Sequence, residues 1–186
     1  MNKDKVYRVE AVPEQCVCVG DLTRYLESEH LTISCAESAT CGLIAKLLTD
    51  RSGSSAWYWG GVESYANEAK AKMLGVERSI LDDPCVGPVS WQCAKQMAEG
   101  MRAVSNTDVS LSVTGIAGPT GEEPGKPVGT VYFGFSSSFR ETETIRVQFD
   151  MMDRGDMRDA FASVCLSICL SYVRGEAIID NACLTL

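Results

Sequence analysis

The order of apolar and polar positions along the chain predicts helices interleaved with strands. Apolar residues recur at helical spacing over about residues 13–29, with the charged side chains off the apolar line. Residues 31–37 form a short apolar run that is typical of a buried strand, and the spacing over residues 43–48 predicts a second helix. Ser38 and Thr40 stand between these two elements, and either hydroxyl is a candidate N-cap for that helix.

The rest of the chain continues this alternation and closes with a hairpin and a long helix. The predicted elements are a strand near residues 62–66, a helix over 67–74, a helix capped by Ser90, a strand over 108–118, a hairpin of strands 129–136 and 142–149, and a helix from about 154 to 172. This order predicts an α/β fold with a mixed sheet and helices on both faces. Ligands of such sheets usually lie beyond the carboxyl ends of strands, so the segments after Glu37 and Thr114 are the first candidates for a site.

Length, composition and charge restrict the classes of protein and partner. The 186 residues are 45% hydrophobic and 23% charged, and no repeat or linker divides them, so we predict a single domain over residues 1–186 with its core at about 13–174. The net charge of −8 argues against nucleic acid and membrane surfaces as partners, although backbone amides and arginines can still bind a small anion. No apolar run is long enough for a membrane span and the N-terminus is too polar for a secretory signal, so a cytoplasmic protein is expected.

Cysteine and histidine usage argues against a disulfide framework and against a metal. The nine cysteines are an odd number and lie mostly in apolar runs, which is typical of free, buried thiols. There is no C-x-x-C pair and His30 is the single histidine, so the usual zinc spacings cannot be assembled. We expect neither a bound metal nor another cofactor.

The position of the histidine also restricts the chemistry available to Ser38. His30 lies at the opposite end of the predicted strand from Ser38, so a Ser–His–Asp triad at that turn is geometrically poor. A serine between a strand and a helix is more often an N-cap than a nucleophile. As a nucleophile it would meet the free N–H groups and the positive dipole of the helix start, and it would need a lysine or tyrosine as its base.

Three further patterns carry candidate residues, each beside an ordinary structural interpretation. Tyr65 and Lys70 lie five residues apart, with Asn67, a candidate helix cap, between them. The ordinary interpretation is that Tyr65 belongs to a surface strand and that Lys70 is exposed to solvent. Arg154 and Arg158 lie four residues apart at the start of the last helix, where cations are mildly unfavourable. A glycine-rich loop after the strand of residues 108–118 offers amides to a phosphate or ribose, although an ordinary turn explains it almost as well. Its glycines are Gly115, Gly118 and Gly121.

Five ordered segments carry a recognisable set of motifs. They are AESATCG (36–42), GSSAWY (53–58), SYANEAKAKMLGV (64–76), VTGIAGPTG (113–121) and KPVGTVYF (126–133). Together they resemble the CinA C-terminal domain family, known also as the nicotinamide-nucleotide amidohydrolase family, over about residues 31–172. The larger N-terminal domain of full-length CinA proteins has no counterpart in these residues, so its pyrophosphatase chemistry is not expected.

The resemblance implies a three-layer α/β/α sandwich, often a homodimer, that acts on a small-molecule nucleotide. The implied reaction is metal-free hydrolysis of nicotinamide mononucleotide to nicotinate mononucleotide and ammonia. By position, Ser38 matches the family's proposed nucleophile, and Tyr65 and Lys70 match the groups proposed to activate it. Thr114 matches a position associated with the active site, and Arg154 matches the arginine that begins the last helix.

These matches suggest a mechanism in which Lys70, directly or through Tyr65, takes the proton of Ser38. The serine then attacks the carboxamide and forms an ester that water cleaves. Amides near Ala39 and Thr40 are expected to hold the oxyanion. The expected substrate-binding residues are Thr40, Asn67, Thr114, Gly115, Gly118, Gly121 and Arg154.

The turn beside the proposed nucleophile departs from the family pattern, and this departure keeps alternatives open. The family usually reads E-S-C-T-G-G, whereas here Ala39 replaces the cysteine and Cys41 replaces the first glycine, where a side chain can block a close backbone approach. One alternative is a catalytically impaired member that binds a nucleotide or a partner. Another is an amidohydrolase for a different amide, with an aromatic side chain stacked on the ring of its substrate. Core packing or a subunit interface is the simpler interpretation of the candidate aromatics Trp57, Tyr58 and Trp59.

Overall fold

The structure, a computed structural model, describes residues 6–9, 12, 15–150, 153–176 and 184–185. The strands are β1 Val6–Val9, β2 Ile33–Glu37, β3 Tyr58–Glu63, β4 Val109–Gly115, β5 Thr130–Ser137, β6 Glu143–Gln148 and β7 Leu184–Thr185. The helices are α1 Gln15–Ser28, α2 Leu43–Thr49, α3 Asn67–Leu74, α4 Arg78–Leu81, α5 Trp91–Ser105 and α6 Arg154–Arg174. A 3₁₀ turn, Ser54–Ala56, precedes β3.

The seven described strands form one mixed sheet in the order β3-β2-β4-β5-β6-β1-β7. β2 pairs in parallel with both β3 and β4, while β5 runs antiparallel to β4 and β6 runs antiparallel to β5. Because β2, β3 and β4 are parallel to one another, their carboxyl ends meet at the same edge of the sheet. The segments that follow these three strands are therefore neighbours in space, although they are far apart in sequence.

Helices cover both faces of the sheet and produce the three-layer α/β/α fold that the sequence motifs predict. α1, α2 and α6 pack against one another on one face, and α5 packs on the other face with α3 and α4 beside it. α6 is buried almost all round between Met157 and Val173, which explains why it shows no single apolar stripe. α5 buries one stripe of small and sulfur-containing side chains: Cys93, Ala94, Met97, Ala98 and Met101.

The interior contains a large cluster around the sheet and a smaller one beneath α3 and α5. In the large cluster Phe149 and Phe161 meet edge to face, with ring centroids 5.1 Å apart. Gly100 of α5 allows a close approach to the end of α3, since a Cβ there would lie 1.8 Å from the carbonyl oxygen of Leu74. This packing fixes α3, and with it Lys70, against the rest of the domain.

Most predicted elements lie close to their predicted bounds. α3 occupies residues 67–74 as predicted, and β5 and β6 form the predicted antiparallel hairpin. Ser90 caps α5 by accepting the N–H of Cys93 at 3.2 Å. Residues 13 and 14, the predicted start of the first helix, lie outside the described residues.

The strand predicted near residues 62–66 is wrong in position. β3 spans Tyr58–Glu63, and Ser64 already belongs to the turn, where its N–H donates to the carbonyl of Glu37 at 2.7 Å. Gly60 and Gly61 lie inside this edge strand and interrupt its apolar pattern, so the sequence conceals the strand.

Six cysteines are free thiols in the structure, four of them buried and two exposed. Cys35, Cys93, Cys165 and Cys169 are buried, whereas Cys41 and Cys85 are exposed. Within the described residues, no group of three or more histidine, cysteine, aspartate or glutamate side chains is placed to hold a metal ion. No described helix combines the length and the apolar character that crossing a membrane requires.

Candidate active site

A buried carboxylate caps the helix that follows β2. Glu37 is the last residue of β2 and is 1% exposed. Its two carboxylate oxygens accept three N–H groups at the start of α2, at 2.9, 3.1 and 2.9 Å, from Gly42, Ile44 and Ala45. The predicted capping by Ser38 or Thr40 is therefore wrong, because one carboxylate accepts the N–H groups that a cap hydroxyl would share.

The turn after Glu37 places Ser38 beside Lys70. The N–H of Ser38 donates to the carbonyl of Val113 at 3.0 Å, which continues the pairing of β2 with β4 by one residue. Lys70 Nζ lies 3.0 Å from Ser38 Oγ and donates to the carbonyl oxygens of Ser64 at 2.8 Å and Tyr65 at 3.1 Å. Ser38 is 8% exposed and Lys70 is 2% exposed, so the pair is almost entirely shielded from solvent.

The surroundings of Lys70 favour its neutral amine. Burial lowers the pKa of Lys70 from its ordinary value of 10.5, and the nearby Cys93 thiol opposes part of this shift. Burial also raises the pKa of Cys93 to about 11, so this thiol is uncharged near neutral pH. The three oxygens around Nζ are a hydroxyl and two carbonyls, all uncharged. An uncharged lysine is the form that can accept a proton from Ser38.

Tyr65 contributes its backbone to this arrangement and its side chain to the wall of a cavity. The side chain is 62% exposed. Its phenol oxygen has no hydrogen-bond partner among the residues that the structure describes. In this geometry Lys70 reaches Ser38 directly, without the phenol between them.

A cavity of about 240 Å³ lies at the carboxyl ends of β2, β3 and β4, with Ser38, Tyr65 and Lys70 in its wall. The start of α6 and the loops after the three strands form its sides. Gly118 lies at a bend of the loop after β4, with φ +73°, and a Cβ there would lie 2.6 Å from Val128 Cγ1. Only glycine fits this bend without displacing the loop. Of the predicted substrate-binding residues, those that line the cavity are Asn67, Gly115, Gly118, Gly121 and Arg154.

Two predicted substrate-binding residues, Thr40 and Thr114, do not line the cavity. Thr114 is 1% exposed and donates its hydroxyl to the carbonyl of Pro88 at 2.7 Å, so it holds a cavity-lining loop from behind. The Thr40 side chain is fully buried, and its hydroxyl has no partner among the described residues. The predicted direct contact of these two side chains with substrate is therefore corrected to a supporting position.

The two arginines at the start of α6 have different positions. Arg154 lines the cavity and donates to the carbonyl of Gly118. Arg158 donates through Nε to the carbonyl of Ala39 at 3.0 Å and through Nη2 to the carbonyl of Thr40 at 2.7 Å. Arg158 therefore ties the turn after Ser38 to α6, a role that the sequence indicated only by its spacing from Arg154.

Cys41 does not obstruct the cavity. It has φ +47°, its side chain is exposed, and it is absent from the cavity wall. The Cys41 side chain therefore does not obstruct the cavity beside Ser38 in this structure. The replacement of the family's glycine by Cys41 therefore matters mainly for the backbone, because the left-handed region is unfavourable for a residue with a Cβ.

Replacing Cys41 by glycine is expected to raise the free energy of unfolding by up to about 1 kcal/mol, because relief of the left-handed strain exceeds the entropy that glycine adds to the unfolded chain. Urea unfolding followed by circular dichroism measures this change. Cys85→Gly is the comparison, since it removes an exposed thiol without a positive φ. Destabilisation by Cys41→Gly would contradict the expected strain.

The three aromatic residues proposed to stack on a substrate ring lie away from the cavity. Trp57 is 1% exposed and carries the guanidinium of Arg51 over its ring at 5.0 Å. The hydroxyl of Tyr58 lies 3.2 Å from Cys35 Sγ, and Trp59 is exposed on the edge strand β3. None of the three lines the cavity, so the structure gives no support to stacking by these rings.

The fold and the site together define a class: an α/β protein with a buried serine–lysine pair in a cavity at the carboxyl ends of three parallel strands. A family model described as "CinA C-terminal domain" matches residues 18–173. The chain belongs to this family, and the resemblance carried by its sequence motifs is confirmed.

Curated relatives carry the same family name. A CinA-like protein of Salinibacter ruber is 48% identical over 163 residues, which cover 84% of this chain and 39% of the relative. A CinA-like protein of Leptospira borgpetersenii is 47% identical over 140 residues, which cover 75% of this chain and 32% of the relative. The chain thus spans about a third to two fifths of the length of these relatives.

Solved structures match the whole fold. The competence damage-inducible protein A of Klebsiella pneumoniae has a TM-score of 0.81 at 28% identity, and the match covers 87% of this chain and 98% of that one. The competence/damage inducible protein CihA of Agrobacterium tumefaciens has a TM-score of 0.77 at 34% identity, with the same coverage of both chains.

Proposed function

We propose that this chain is a serine amidohydrolase that deamidates nicotinamide mononucleotide, giving nicotinate mononucleotide and ammonia. The observation that carries the proposal is the 3.0 Å separation of Lys70 Nζ and Ser38 Oγ, two side chains that are both almost fully buried at the wall of the cavity. A neutral lysine has two N–H groups and one lone pair. The carbonyls of Ser64 and Tyr65 take the two N–H groups, which leaves the lone pair for the hydroxyl proton of Ser38.

The reaction divides into acylation and deacylation at Ser38. Lys70 takes the hydroxyl proton while the serine oxygen attacks the carboxamide carbon, and the resulting ammonium returns the proton to the departing nitrogen as ammonia leaves. Water then enters, loses a proton to Lys70 and attacks the ester carbon. Lys70 returns that proton to Ser38 as the ester bond breaks, and the acid product gives its own proton to solvent or to the released ammonia and leaves as the carboxylate. Water is the single co-substrate.

The N–H group of Ala39, next to the nucleophile, is the donor best placed to stabilise the oxyanion of each step, because Ala39 lines the cavity and this N–H has no acceptor among the described residues. The N–H of Thr40 also lacks an acceptor there, but Thr40 lies behind the cavity wall. Arg158 holds the carbonyls of the same two residues and thereby fixes the peptide planes of the turn. Donors fixed in advance are the arrangement that stabilises developing charge most effectively.

The part of the cavity wall formed by Arg154 and the loop after β4 suits a phosphate. Arg154 donates one N–H to Gly118, and its remaining N–H groups have no partner among the described residues. The N–H groups of Gly118 and Gly121 also lack an acceptor in the described part of the chain. A guanidinium beside free loop amides binds phosphate oxygens, so a nucleotide would lie with its phosphate here and its carboxamide at Ser38.

The substrate class is tested with a panel of amides at one pH, with ammonia release as the readout. The panel consists of nicotinamide mononucleotide, its unphosphorylated riboside, free nicotinamide, glutamine and asparagine. We expect the mononucleotide to have the highest kcat/KM, because it alone places a phosphate at Arg154 and a carboxamide at Ser38. A higher kcat/KM for any other amide would overturn the substrate assignment. Binding of the mononucleotide without any turnover would favour the impaired, nucleotide-binding alternative.

The kcat/KM for deamidation is expected to rise with pH as Lys70 loses its proton, and the midpoint of this rise should lie below the ordinary lysine pKa of 10.5, because burial lowers the pKa of Lys70. The sign follows from the chemistry, because only the neutral amine accepts the proton of Ser38, and the neutral fraction grows as pH increases. Initial rates between about pH 6 and 10 measure the profile. A kcat/KM that falls with pH across this range would mean that the ammonium form is the active one, which contradicts Lys70 as the base.

A further inference from the structure

A tight turn in the loop between β4 and β5 presents a carboxylate to the cavity. Glu123 and Lys126 exchange backbone hydrogen bonds, Lys126 N–H to Glu123 O at 2.8 Å and Glu123 N–H to Lys126 O at 3.1 Å. Pro124 and Gly125, with φ +75° at the glycine, occupy the two central positions, which is the residue pair that a type II turn favours. Glu123 is also one of the residues that line the cavity.

One oxygen of this carboxylate is occupied and the other is free. Lys126 Nζ donates to Glu123 Oε2 at 2.9 Å and to the carbonyl of Val86 at 2.7 Å. The Lys126 side chain is 11% exposed, so the ion pair is held in place and does not move freely in solvent. Glu123 Oε1 has no donor among the described residues. The Glu123 side chain is 38% exposed, so Oε1 is accessible and free to accept a hydrogen bond from a ligand in the cavity.

The free oxygen restricts which part of a ligand can lie beside it. A phosphate would be repelled by the carboxylate and is better placed at Arg154, which lines the same cavity. The carboxamide has to reach Ser38 for the chemistry proposed above. The ring nitrogen of a pyridinium nucleotide carries no hydrogen, so it cannot donate. The donors that remain on such a nucleotide are the hydroxyls of its ribose, and carboxylates commonly accept from ribose hydroxyls.

We propose that Glu123 is a specificity-determining residue that accepts a hydrogen bond from a ribose hydroxyl of the nucleotide through Oε1. This inference rests on the proposed function for the identity of the nucleotide. Lys126 binds Oε2 and so holds the carboxylate at the cavity wall, which leaves Oε1 to accept the hydroxyl while the phosphate lies at Arg154. Glu123 takes no part in the proton transfers at Ser38.

Calorimetric binding to the Ser38→Ala protein, which cannot turn the substrate over, tests this contact. The ligands are nicotinamide mononucleotide and its 2′-deoxy and 3′-deoxy forms. We expect removal of one of the two hydroxyls to raise Kd by about tenfold to a hundredfold, the usual range for a hydrogen bond to a charged acceptor. In the Ser38→Ala protein, the additional change Glu123→Ala should raise the Kd of nicotinamide mononucleotide by the same factor. The double variant should then bind the ribo form and that deoxy form with equal affinity. Glu122→Ala is the matched control, because this neighbouring carboxylate does not line the cavity and should change neither value.

Several outcomes overturn the inference. Retained discrimination between the ribo and deoxy forms in Glu123→Ala would show that another group reads the hydroxyl. If Glu123→Ala raised the Kd of all three ligands equally, or if Glu122→Ala raised Kd as much as Glu123→Ala does, the carboxylate would act through its overall negative charge and not through a hydrogen bond to one hydroxyl. In the Ser38 protein, Glu123→Ala should raise KM and leave kcat within about threefold, and a fall in kcat alone would overturn the binding role.

The proposed function can fail separately from this inference. If the protein prefers the ribo form in a way that depends on Glu123 but releases no ammonia, the role of Glu123 stands and the proposed deamidation is wrong. If the protein releases ammonia and Glu123→Ala does not change kcat or KM, the deamidation stands and the role of Glu123 is wrong. A nucleotide that does not bind at all would remove both.

Discussion

Replacing Lys70 by methionine is expected to lower the kcat for nicotinamide mononucleotide deamidation by about 10³-fold, within the usual range for loss of a general base. Methionine fills a similar volume but cannot take a proton from Ser38 or return it to the departing ammonia. KM should change little, because the hydrogen bonds of Lys70 go to Ser38, Ser64 and Tyr65 and not to Arg154, where the phosphate is proposed to bind. Steady-state ammonia release, with circular dichroism to verify folding, measures the effect.

The adjacent lysine provides the matched control for this prediction. Lys72 lies on the same helix, α3, but is exposed, so Lys72→Met removes the same charge without touching Ser38. Its kcat should remain within about twofold of the parent value. Lys70→Arg should be as inactive as Lys70→Met, because a guanidinium stays protonated. Activity above a tenth of the parent rate in the folded Lys70→Met protein would contradict the assignment of Lys70 as the base.

Replacing Glu37 by alanine is expected to lower the free energy of unfolding by about 3 kcal/mol, because it leaves the N–H groups at the start of α2 without their buried acceptor. The same change frees the turn that carries Ser38, so deamidation should fall by more than the loss of folded protein explains. Urea unfolding and the specific activity of the folded fraction measure the two effects separately.

A conservative variant and a surface control accompany the Glu37→Ala prediction. Glu37→Gln keeps one acceptor oxygen and should lose less stability than Glu37→Ala. Glu63→Ala removes an exposed carboxylate at the end of the adjacent strand β3 and should cost less than about 0.5 kcal/mol. Equal stability losses for Glu37→Ala and Glu63→Ala would mean that the capping carboxylate contributes nothing beyond a surface charge.

The sequence predicts the architecture well where the apolar pattern is long and regular. α6 and the β5–β6 hairpin have long or alternating apolar patterns and are found close to their predicted bounds, and α5 begins after its predicted cap, Ser90. β3 was misplaced because its two glycines interrupt the pattern on an edge strand. β1 and β7 were not predicted, since strands of four and two residues are too short for a periodic signal.

The sequence predicts which residues gather at the site, but not which atoms meet. The motifs placed Ser38 and Lys70 in one site, whereas the direct contact between them depends on how β3 and α3 pack. Glu37 had a detectable signal, a charged residue that ends an apolar strand, yet the neighbouring hydroxyls were the more familiar caps. Thr114 and Thr40 show the opposite error, because a residue close to a site in sequence can support the wall from behind.

The most direct measurement of the central claim compares the parent protein with Ser38→Ala for ammonia release from nicotinamide mononucleotide. Both proteins should show the same circular dichroism spectrum and cooperative unfolding, because Ser38 makes its fold-determining bond to Val113 through the backbone. We predict turnover by the parent and no detectable turnover by the variant. Equal turnover by a folded Ser38→Ala protein would show that the amide is cleaved without the serine, and would contradict the mechanism assigned to this site.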